Sequence, residues 1–428
     1  MRPYARADAG REGSVPRNGT PGLAGCPPQG ETAPMPDRIG VTHVGSLARP
    51  PELQDFLRAQ ENGEPYDEAA FEACLRDSVA EVVRRQADAG IDVVSDGEFG
   101  KTFTWAWYIR DRLDGFEERP FAPTGEVGPQ DPSRQGRDRR DFAEFYGDYF
   151  RRNPVASGVR DRGQAVCVGP ISYAGQAAVA RDISDLRAAM DAAGVAEGFL
   201  PVVAPSSAVP IRVDEHYGSD EDFIFALADA LNEEYRAIVD AGLIVQVDDA
   251  FLATMYDTMV PPATMREYRE WAELRIEALN RALTGIPEER SRYHVCWGSW
   301  NGPHSNDVGL RDIVDLVLRV RVGGYALEQA NPRHEHEWEV WKDVELPAGR
   351  VLVPGLISHS TNVVEHPELV AQRIVRLARL VGRERVIAST DCGFAQTPYL
   401  TRVHPTIIWA KLAALAEGAR LASAKLWS

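Results

Sequence analysis

The sequence predicts an α/β protein in which eight parallel strands close into a (β/α)8 barrel, the TIM-barrel architecture. Short runs rich in Val and Ile alternate with amphipathic helical patterns, and this alternation favours a parallel sheet. Eight such runs are present, which is the number that closes a barrel of this kind. A doubly wound open sheet is the alternative, but no Gly-rich phosphate loop follows the first strand.

The strand-like runs are bounded by turn residues, and Gly, Asp or Ser follows most of them. They lie near residues 39–46, 91–96, 165–169, 244–248, 292–297, 324–328, 351–356 and 385–390. The helical patterns are clearest at about 66–89, 220–241, 264–284, 308–320, 366–382 and 405–422. A further run, PVVAPS at 201–206, is predicted to be a short strand outside the barrel or a loop.

Two segments depart from the alternation. Residues 1–36 are rich in Gly, Pro and Arg and lack apolar periodicity, so we predict disorder there and a barrel over 37–428. Residues 115–162 are dense in charged and aromatic residues and form an insertion after the second strand. Because it follows the second strand on the face where barrel active sites form, we favour a lid or a substrate-domain element over a solvent-exposed surface element. The sequence leaves open whether translation starts at Met1 or Met35.

Composition excludes several classes of partner. The net charge of −17 argues against nucleic acid or an anionic membrane surface, because phosphates would be repelled. Five scattered cysteines among 428 residues are no disulfide framework, and no apolar run approaches the roughly 18 residues that a membrane helix requires. We therefore expect a cytoplasmic protein whose partners are small molecules, with a homo-oligomer left open.

Four metal-binding side chains stand at the ends of strand-like runs: His294 and Cys296 in RYHVCW, Glu328 in GYALEQA and Cys392 in VIASTDCG. Residues i and i+2 of a strand share a face, so His294 and Cys296 can reach one ion together. Two thiolates, an imidazole and a carboxylate suit Zn²⁺. Four ligands usually mean structural zinc, whereas a site at a barrel mouth could exchange one ligand for a substrate. The alternative is buried cysteines and core polar groups.

Four more polar residues end or follow other predicted strands: Ser46, Glu98, Asp248 and His359. A barrel brings the C-terminal ends of all its strands to one mouth, so these positions predict a single active site. Two carboxylates would pair with an ammonium group, and a hydroxyl with nearby amides would take a carboxylate. Asp248 could instead belong to a helix N-cap pair, Glu98 to a surface turn, and His359 to a satisfied structural group.

These motifs resemble the C-terminal catalytic barrel of the cobalamin-independent methionine synthase family. HVCWG, YALE and DCG resemble the family's zinc-ligand segments. Five more segments also resemble segments of the family and stand in the same order along the chain. They are THVGS at 42–46, SDGEF at 95–99, CVGP at 167–170, QVDD at 246–249 and ISHS at 357–360. The resemblance spans roughly residues 38 to 425. It implies a zinc-dependent transferase on a barrel that is also related to uroporphyrinogen decarboxylase.

The resemblance also implies roles for the matching residues. Ser46, Glu98 and Asp248 would hold the amino-acid part of homocysteine, and His359 would act as acid or base near the transfer. The chain departs from the long synthases because the half that helps to hold polyglutamyl folate is absent. Its segments 297–304 and 329–338 are instead similar to a short branch that includes the epoxyalkane:coenzyme M transferases. Their histidines, His304, His334 and His336, are either substrate contacts or rim structure.

Three enzyme hypotheses follow. The first is a zinc-dependent methyl or alkyl transferase that activates a homocysteine-like thiol, similar to 5-methyltetrahydropteroyltriglutamate–homocysteine S-methyltransferase and so to methionine biosynthesis. The second keeps the zinc thiolate but takes an epoxide or another activated alkyl donor. The third is a lyase or hydrolase on the same barrel, and a non-catalytic zinc-binding protein is the non-enzymatic alternative. The sequence names neither the thiol nor the donor, and it leaves the use of folate open.

Overall fold

The computed structural model describes residues 37–120, 136–152, 162–209 and 212–428. The predicted disorder over 1–36 therefore lies outside the described residues. The strands are β1 (Gly40–Val41), β2 (Val93–Ser95), β3 (Leu113–Arg119), β4 (Gln164–Tyr173), β5 (Glu197–Val203), β6 (Arg212–Asp214), β7 (Ile244–Asp249), β8 (Ser291–Val295), β9 (Gly324–Leu327), β10 (Val351–Ile357) and β11 (Ile387–Thr390).

The α-helices are α1 (Pro51–Asn62), α2 (Glu68–Asp88), α3 (Arg137–Asp141), α4 (Ala143–Arg152), α5 (Gln176–Ala193), α6 (Asp220–Asp240), α7 (Phe251–Met259), α8 (Met265–Ala282), α9 (Leu310–Val317), α10 (Pro367–Val381) and α11 (Pro405–Leu426). Short 3-10 helices lie at Trp107–Arg112, Glu288–Arg290, Glu335–Lys342 and Arg383–Arg385. None of the described helices is long and apolar enough to cross a membrane.

Eight of the strands form one parallel sheet in the order β1-β11-β10-β9-β8-β7-β5-β2. The two end strands meet where the amide of Asp92 donates to the carbonyl oxygen of Val41 at 2.9 Å, which closes the sheet into a ring. Residues of β7, β8 and β9 are all buried, as expected for strands covered on both faces. The predicted (β/α)8 barrel is confirmed.

The predicted third barrel strand was wrong. The run 165–169 lies in β4, which pairs with β3 and β6 in a separate three-stranded sheet. The third barrel strand is β5, between β2 and β7. It contains the first three residues of the PVVAPS run, which was predicted to be a short strand outside the barrel or a loop. Pro201 made that run resemble an edge strand or a loop, because proline cannot donate to a ladder. Periodicity does not reveal which sheet a strand joins.

All six clearest helices are confirmed, as α2, α6, α8, α9, α10 and α11. All of them except α9 start with a side-chain cap that satisfies a free backbone amide. Asp67 and Ser219 cap α2 and α6, and Thr264 with Glu267 forms a capping box at α8. The apolar faces of the helices pack with the strands in one core cluster. This packing fixes the strand ends and therefore the mouth.

The described part of the insertion touches the loop that follows β8. One carboxylate oxygen of Asp138, in α3, accepts hydrogen bonds from the backbone amides of Ser305 and Asn306 at 3.1 and 3.2 Å. From α4, the hydroxyl of Tyr146 accepts from the indole nitrogen of Trp300 at 3.1 Å. The predicted insertion at 115–162 includes residues 121–135 and 153–161, which lie outside the described ranges.

Candidate active site at the barrel mouth

Every predicted site residue is buried, and each stands at or just after the C-terminal end of a barrel strand. Ser46 and Glu98 follow β1 and β2. The others are Asp248 in β7, His294 in β8, Cys296 directly after it, Glu328 after β9, His359 after β10 and Cys392 after β11. Parallel strands of a closed barrel bring these ends to one mouth.

Three of the four predicted metal ligands form one group. The ligand atoms of His294, Cys296 and Cys392 all lie within 4.8 Å of one another, and the two sulfurs are 3.5 Å apart. Two sulfurs bound at about 2.3 Å to one tetrahedral zinc ion would be about 3.8 Å apart. The Nδ1 of His294 faces the carbonyl oxygen of Ala326 at 3.3 Å, and its buried Nε2 has no partner among the described residues.

The protonation states of this group suit a metal ion. Burial lowers the pKa of His294 to about 3, so the ring is neutral and Nε2 can donate a lone pair. The hydrogen bond with Cys392 and burial together raise the pKa of Cys296 well above its ordinary value. A bound cation reverses that preference, because a metal-coordinated thiol is deprotonated. The orphaned Nε2 and the close sulfurs therefore fit zinc.

The fourth predicted ligand lies in an adjoining acidic group. Carboxylate and ring atoms of Glu328, His359 and Asp391 lie within 4.8 Å of one another. The Oε1 of Glu328 accepts from the amide of Trp297 at 2.9 Å, and the charge of Glu328 helps to raise the pKa of Cys296. Burial raises the pKa of Glu328. Glu328 thus borders the thiol pair and the acidic group at once.

Asp391 is a site residue that sequence reasoning left without a role, although it stands in the DCG motif. Its Oδ1 accepts from the amides of Gln329 and Ala330 at 2.8 Å each, so it holds the loop that follows Glu328. Burial and the neighbouring Glu328 raise the pKa of Asp391 to about 8. The sequence feature that could have identified Asp391 as a site residue is its position at the end of the last strand, directly before Cys392.

Glu98 and Asp248 form a buried carboxylate pair. Glu98 has φ of +61°, a left-handed conformation that costs a non-glycine residue about 1–3 kcal/mol and concentrates at functional sites. Its amide donates to Asp96 at 2.9 Å, and its carboxylate faces Lys101 at 3.1 Å. Burial and the nearby charge of Glu98 raise the pKa of Asp248 well above its ordinary value. Lys101 forms an ion pair with Glu98, and the charges of Lys101 and Arg292 both act on Asp248.

Ser46 meets the loop that carries Cys392. Its hydroxyl oxygen accepts from the amide of Ala395 at 3.2 Å, and its carbonyl oxygen accepts from the amide of Phe394 at 2.8 Å. A Cβ at Gly393 would collide with this hydroxyl, so glycine is required for the approach. Ser46 therefore lies beside the metal group, with backbone amides around it.

Arg292 and Gln246 were missed by sequence reasoning. The Nε of Arg292 donates to the Oε1 of Gln246 at 2.6 Å, and the Nε2 of Gln246 donates to the Oδ1 of Asp248 at 2.7 Å. Burial lowers the pKa of Arg292 to about 9. Arg292 lies two residues before His294 in β8. Side chains two residues apart in a strand point to the same face, so the sequence placed Arg292 on the inner face that carries His294. The pair orients Asp248 from inside the barrel.

His359 is buried with 2% exposure, and both ring nitrogens lack a partner among the described residues. Burial and the positive charge of Arg402 lower the pKa of His359 well below its ordinary value. A neutral ring with open nitrogens is able to accept or relay a proton from a bound molecule.

His304 and His334 lie in a buried ion-pair network. One oxygen of Asp307 contacts Nδ1 of His304 at 2.9 Å and Nε2 of His334 at 3.0 Å. The Nδ1 of His334 also contacts Glu337 at 2.9 Å. Burial opposes the charge, but the hydrogen bonds of Asp307 and Glu337 raise the pKa of His334 to about 10. The network braces the loops after β8 and β9, and no such contact is described for His336.

Taken together, a parallel barrel with thiols, imidazoles and carboxylates at one mouth defines a barrel enzyme with a candidate metal centre. The family model of the cobalamin-independent synthase catalytic domain matches residues 157–404, which is more than half of the chain. The chain therefore belongs to the cobalamin-independent methionine synthase family, as its motifs predicted.

Relatives support this assignment over most of the chain. The methionine synthase of Sulfolobus acidocaldarius is 24% identical over 370 residues, covering 85% of this chain and 89% of that protein. The 2-hydroxypropyl-CoM lyase of Xanthobacter autotrophicus is also 24% identical, over 423 residues, covering 91% and 96%. A B12-independent methionine synthase from a Shewanella species, solved with selenomethionine, shares the fold with a TM-score of 0.65 at 20% identity, covering 91% and 99%.

Proposed function

We propose that the protein is a zinc-dependent transferase that binds a homocysteine-like thiol, activates it as a zinc thiolate and passes a methyl or alkyl group to its sulfur. The observation that carries the proposal is the pair of sulfurs 3.5 Å apart beside the open Nε2 of His294. Methionine synthases of the same family supply the simplest reaction. We also place the enzyme in the cytoplasm, since thiolate ligands need a reducing compartment.

His294, Cys296 and Cys392 would hold the metal, with Glu328 as the fourth ligand. When bound, zinc lowers the pKa of a coordinated thiol so that its thiolate exists at neutral pH. Two thiolates and a carboxylate outweigh the charge of the ion, which favours a nucleophilic sulfur over activated water. Glu328 is the hardest donor of the four, and it already accepts a backbone hydrogen bond from Trp297. It is therefore the ligand that a substrate sulfur would displace.

Ser46, Glu98 and Asp248 would hold the amino-acid part of the thiol. The two buried carboxylates offer charge-assisted contacts to an ammonium group, and Gln246 fixes the orientation of Asp248. The hydroxyl of Ser46, whose oxygen accepts from the amide of Ala395, offers its proton as a donor to the substrate carboxylate. His359 would move the proton that accompanies transfer, because its buried ring nitrogens are open.

A second donor class is supported by the equal identity, 24%, to the coenzyme M lyase and to the methionine synthase. In this alternative the substrate thiol that the centre would activate attacks an epoxide carbon and the C–O bond of the ring breaks, instead of the sulfur accepting a methyl group. Product analysis separates the two, because methyl transfer yields a thioether with one extra carbon and epoxide opening yields a hydroxyalkyl thioether. A thiol-independent reaction would favour the lyase or hydrolase hypothesis.

Metal analysis of the purified protein tests the proposed centre. We expect one zinc per chain, and Cys296→Ala or Cys392→Ser should lose most of it, since each removes a thiolate ligand. Cys74→Ser is the matched control, because Cys74 is a free cysteine of α2 outside the metal group, and this variant should retain full zinc. Full occupancy in both ligand variants would refute the site.

Adding homocysteine to the zinc-loaded protein tests thiol activation. Binding should release a proton, because the thiol arrives protonated and binds as a thiolate. The release should be absent in Cys296→Ala and intact in Cys74→Ser. Homocysteine binding without proton release would contradict the proposed role of the metal.

A further inference from the structure

The loop between β11 and α11 carries an arginine whose charge is not neutralised by its described partners. Nη1 of Arg402 donates to the Oε1 of Gln396 at 2.6 Å, and its Nε donates to the hydroxyl of Tyr149 at 3.2 Å. Both partners are neutral, so they hold the guanidinium in place and leave its positive charge available. Tyr149 belongs to α4, so the insertion helps to position this cation.

Arg402 lies against the loop that carries Cys392, because the side chain of Gln396 that accepts its hydrogen bond also donates to the carbonyl oxygen of Gly393. Its charge acts with burial to lower the pKa of His359, whose two ring nitrogens are buried and lack partners among the described residues. The side chain of Asn362, three residues after His359, donates to the carbonyl oxygen of Arg402 at 3.4 Å. The loops after β10 and β11 are therefore tied together with the cation and the imidazole on the same side of the mouth.

The charges at the mouth are divided between two sides. Glu98 follows β2 and Asp248 lies near the end of β7, where they suit the ammonium group of the thiol. Arg402 and His359 follow β11 and β10, where the donor must approach if the thiol occupies the first side. A guanidinium held by neutral neighbours can bind two oxygens of a carboxylate, sulfonate or phosphate at once.

We propose that Arg402 binds an anionic group on the alkyl donor and so selects donors that carry a negative charge. This inference rests on the proposed function, because it presupposes a thiolate at the metal centre. Recognition is by negative charge and a pair of acceptor oxygens, which carboxylates, sulfonates and phosphates share. Tyr149 acts as a positioning residue that holds the guanidinium.

Two small alkylating agents of nearly equal shape test the charge preference: iodoacetate, which is anionic, and iodoacetamide, which is neutral. The thiolate sulfur of bound homocysteine attacks the CH₂ carbon, the C–I bond breaks, and iodide leaves with the bonding electron pair. S-carboxymethyl- or S-carbamoylmethyl-homocysteine forms and is counted by mass spectrometry. The rate ratio of the two agents on the zinc-loaded protein is compared with their ratio on free homocysteine.

We expect the protein to shift this ratio at least about tenfold toward iodoacetate, the effect of one charge-assisted contact. Arg402→Gln should return the ratio to its solution value, and Arg402→Lys should keep part of the shift because the charge remains. Arg333→Gln is the matched control, since Arg333 is another arginine of the mouth loops whose described hydrogen-bond acceptor is a backbone oxygen, that of Ser305. It should leave the ratio unchanged.

Three outcomes overturn the inference, and they are distinguishable. An unshifted ratio, or a shift that survives in Arg402→Gln, shows that Arg402 does not select the donor. Weaker homocysteine binding in Arg402→Gln, with the ratio preserved, shows that the arginine holds the carboxylate of the thiol. Failure of the protein to accelerate either agent refutes the proposed thiolate itself and the inference with it. Thiol-induced proton release in Arg402→Gln checks that the variant folds with its centre intact.

Discussion

Glu98→Gln and Asp248→Asn are the substitutions that best test how the thiol is held. Each replaces a carboxylate by a neutral amide of nearly the same shape. Both positions are buried, with exposures of 3% and 6%, so salt screens their charges little. Neither side chain belongs to the sulfur and imidazole group, so zinc content should not change.

The expected loss follows from the environment of the pair. A hydrogen bond to a charged group contributes about 1.5–3 kcal/mol, which corresponds to about a tenfold to hundredfold change in Kd. Lys101 forms a direct ion pair with Glu98 at 3.1 Å. The hydrogen-bond donor to Asp248 is the neutral Gln246, and the charges of Lys101 and Arg292 act on Asp248 without a direct ion pair among the described residues. We therefore expect the larger loss for Asp248→Asn.

Calorimetry with two ligands isolates the ammonium contact. Homocysteine and 4-mercaptobutyrate differ in the amino group, so the two ligands and two proteins form a thermodynamic cycle. Each substitution should weaken homocysteine and leave 4-mercaptobutyrate nearly unaffected. Equal losses for the two ligands, or none for homocysteine, would refute the assignment of these carboxylates to the amino group.

Three further predictions concern the surrounding residues. His359→Asn should slow turnover about a hundredfold or more while zinc content and thiol-induced proton release stay as in the wild type; an equal loss of zinc would make the histidine a ligand. Gln246→Leu should lower the free energy of unfolding by about 3 kcal/mol, measured in urea, because Arg292 and Asp248 lose their partner; the partly exposed Gln54→Leu is the control, and an equal loss there would refute the reasoning. The pKa of His334 is raised to about 10 in the folded protein from an ordinary 6.5, so its stabilising contribution is complete below pH 6.5 and is lost as the pH rises toward 10. The stability difference between wild type and His334→Gln should shrink over that interval, and a constant difference would contradict the charged network.

The barrel was predictable because its signals are local. Val- and Ile-rich runs mark buried strands, and the amphipathic helices between them follow a clear period. The third strand was misplaced because β4 and β5 have similar local patterns, and only pairing with β2 and β7 decides which of them enters the barrel. Pro201 obscured β5 further. Which sheet a strand joins depends on its pairing with distant strands, and local sequence patterns do not reveal that pairing.

The site was predictable where topology alone decides the position. Residues at strand ends meet at a barrel mouth, which is why motifs far apart in sequence could be assigned to one site. The adjoining position of Glu328, bonded to Trp297 and close to Asp391, depends on side-chain packing that spacing does not reveal. The contact between Tyr149 and Arg402 joins an insertion to the last loop of the barrel. Sequence separation of 253 residues left no local signal for it.

X-ray absorption at the zinc edge tests the central claim most directly. Cys296 and Cys392 contribute two sulfurs to the proposed centre, and a substrate thiolate must add a third as it displaces an oxygen ligand, most simply that of Glu328. We predict that sulfur coordination rises from two to three when homocysteine is added to the zinc-loaded protein. A shell that stays at two sulfurs while the enzyme turns over a thiol would contradict thiolate activation and favour the lyase or hydrolase hypothesis.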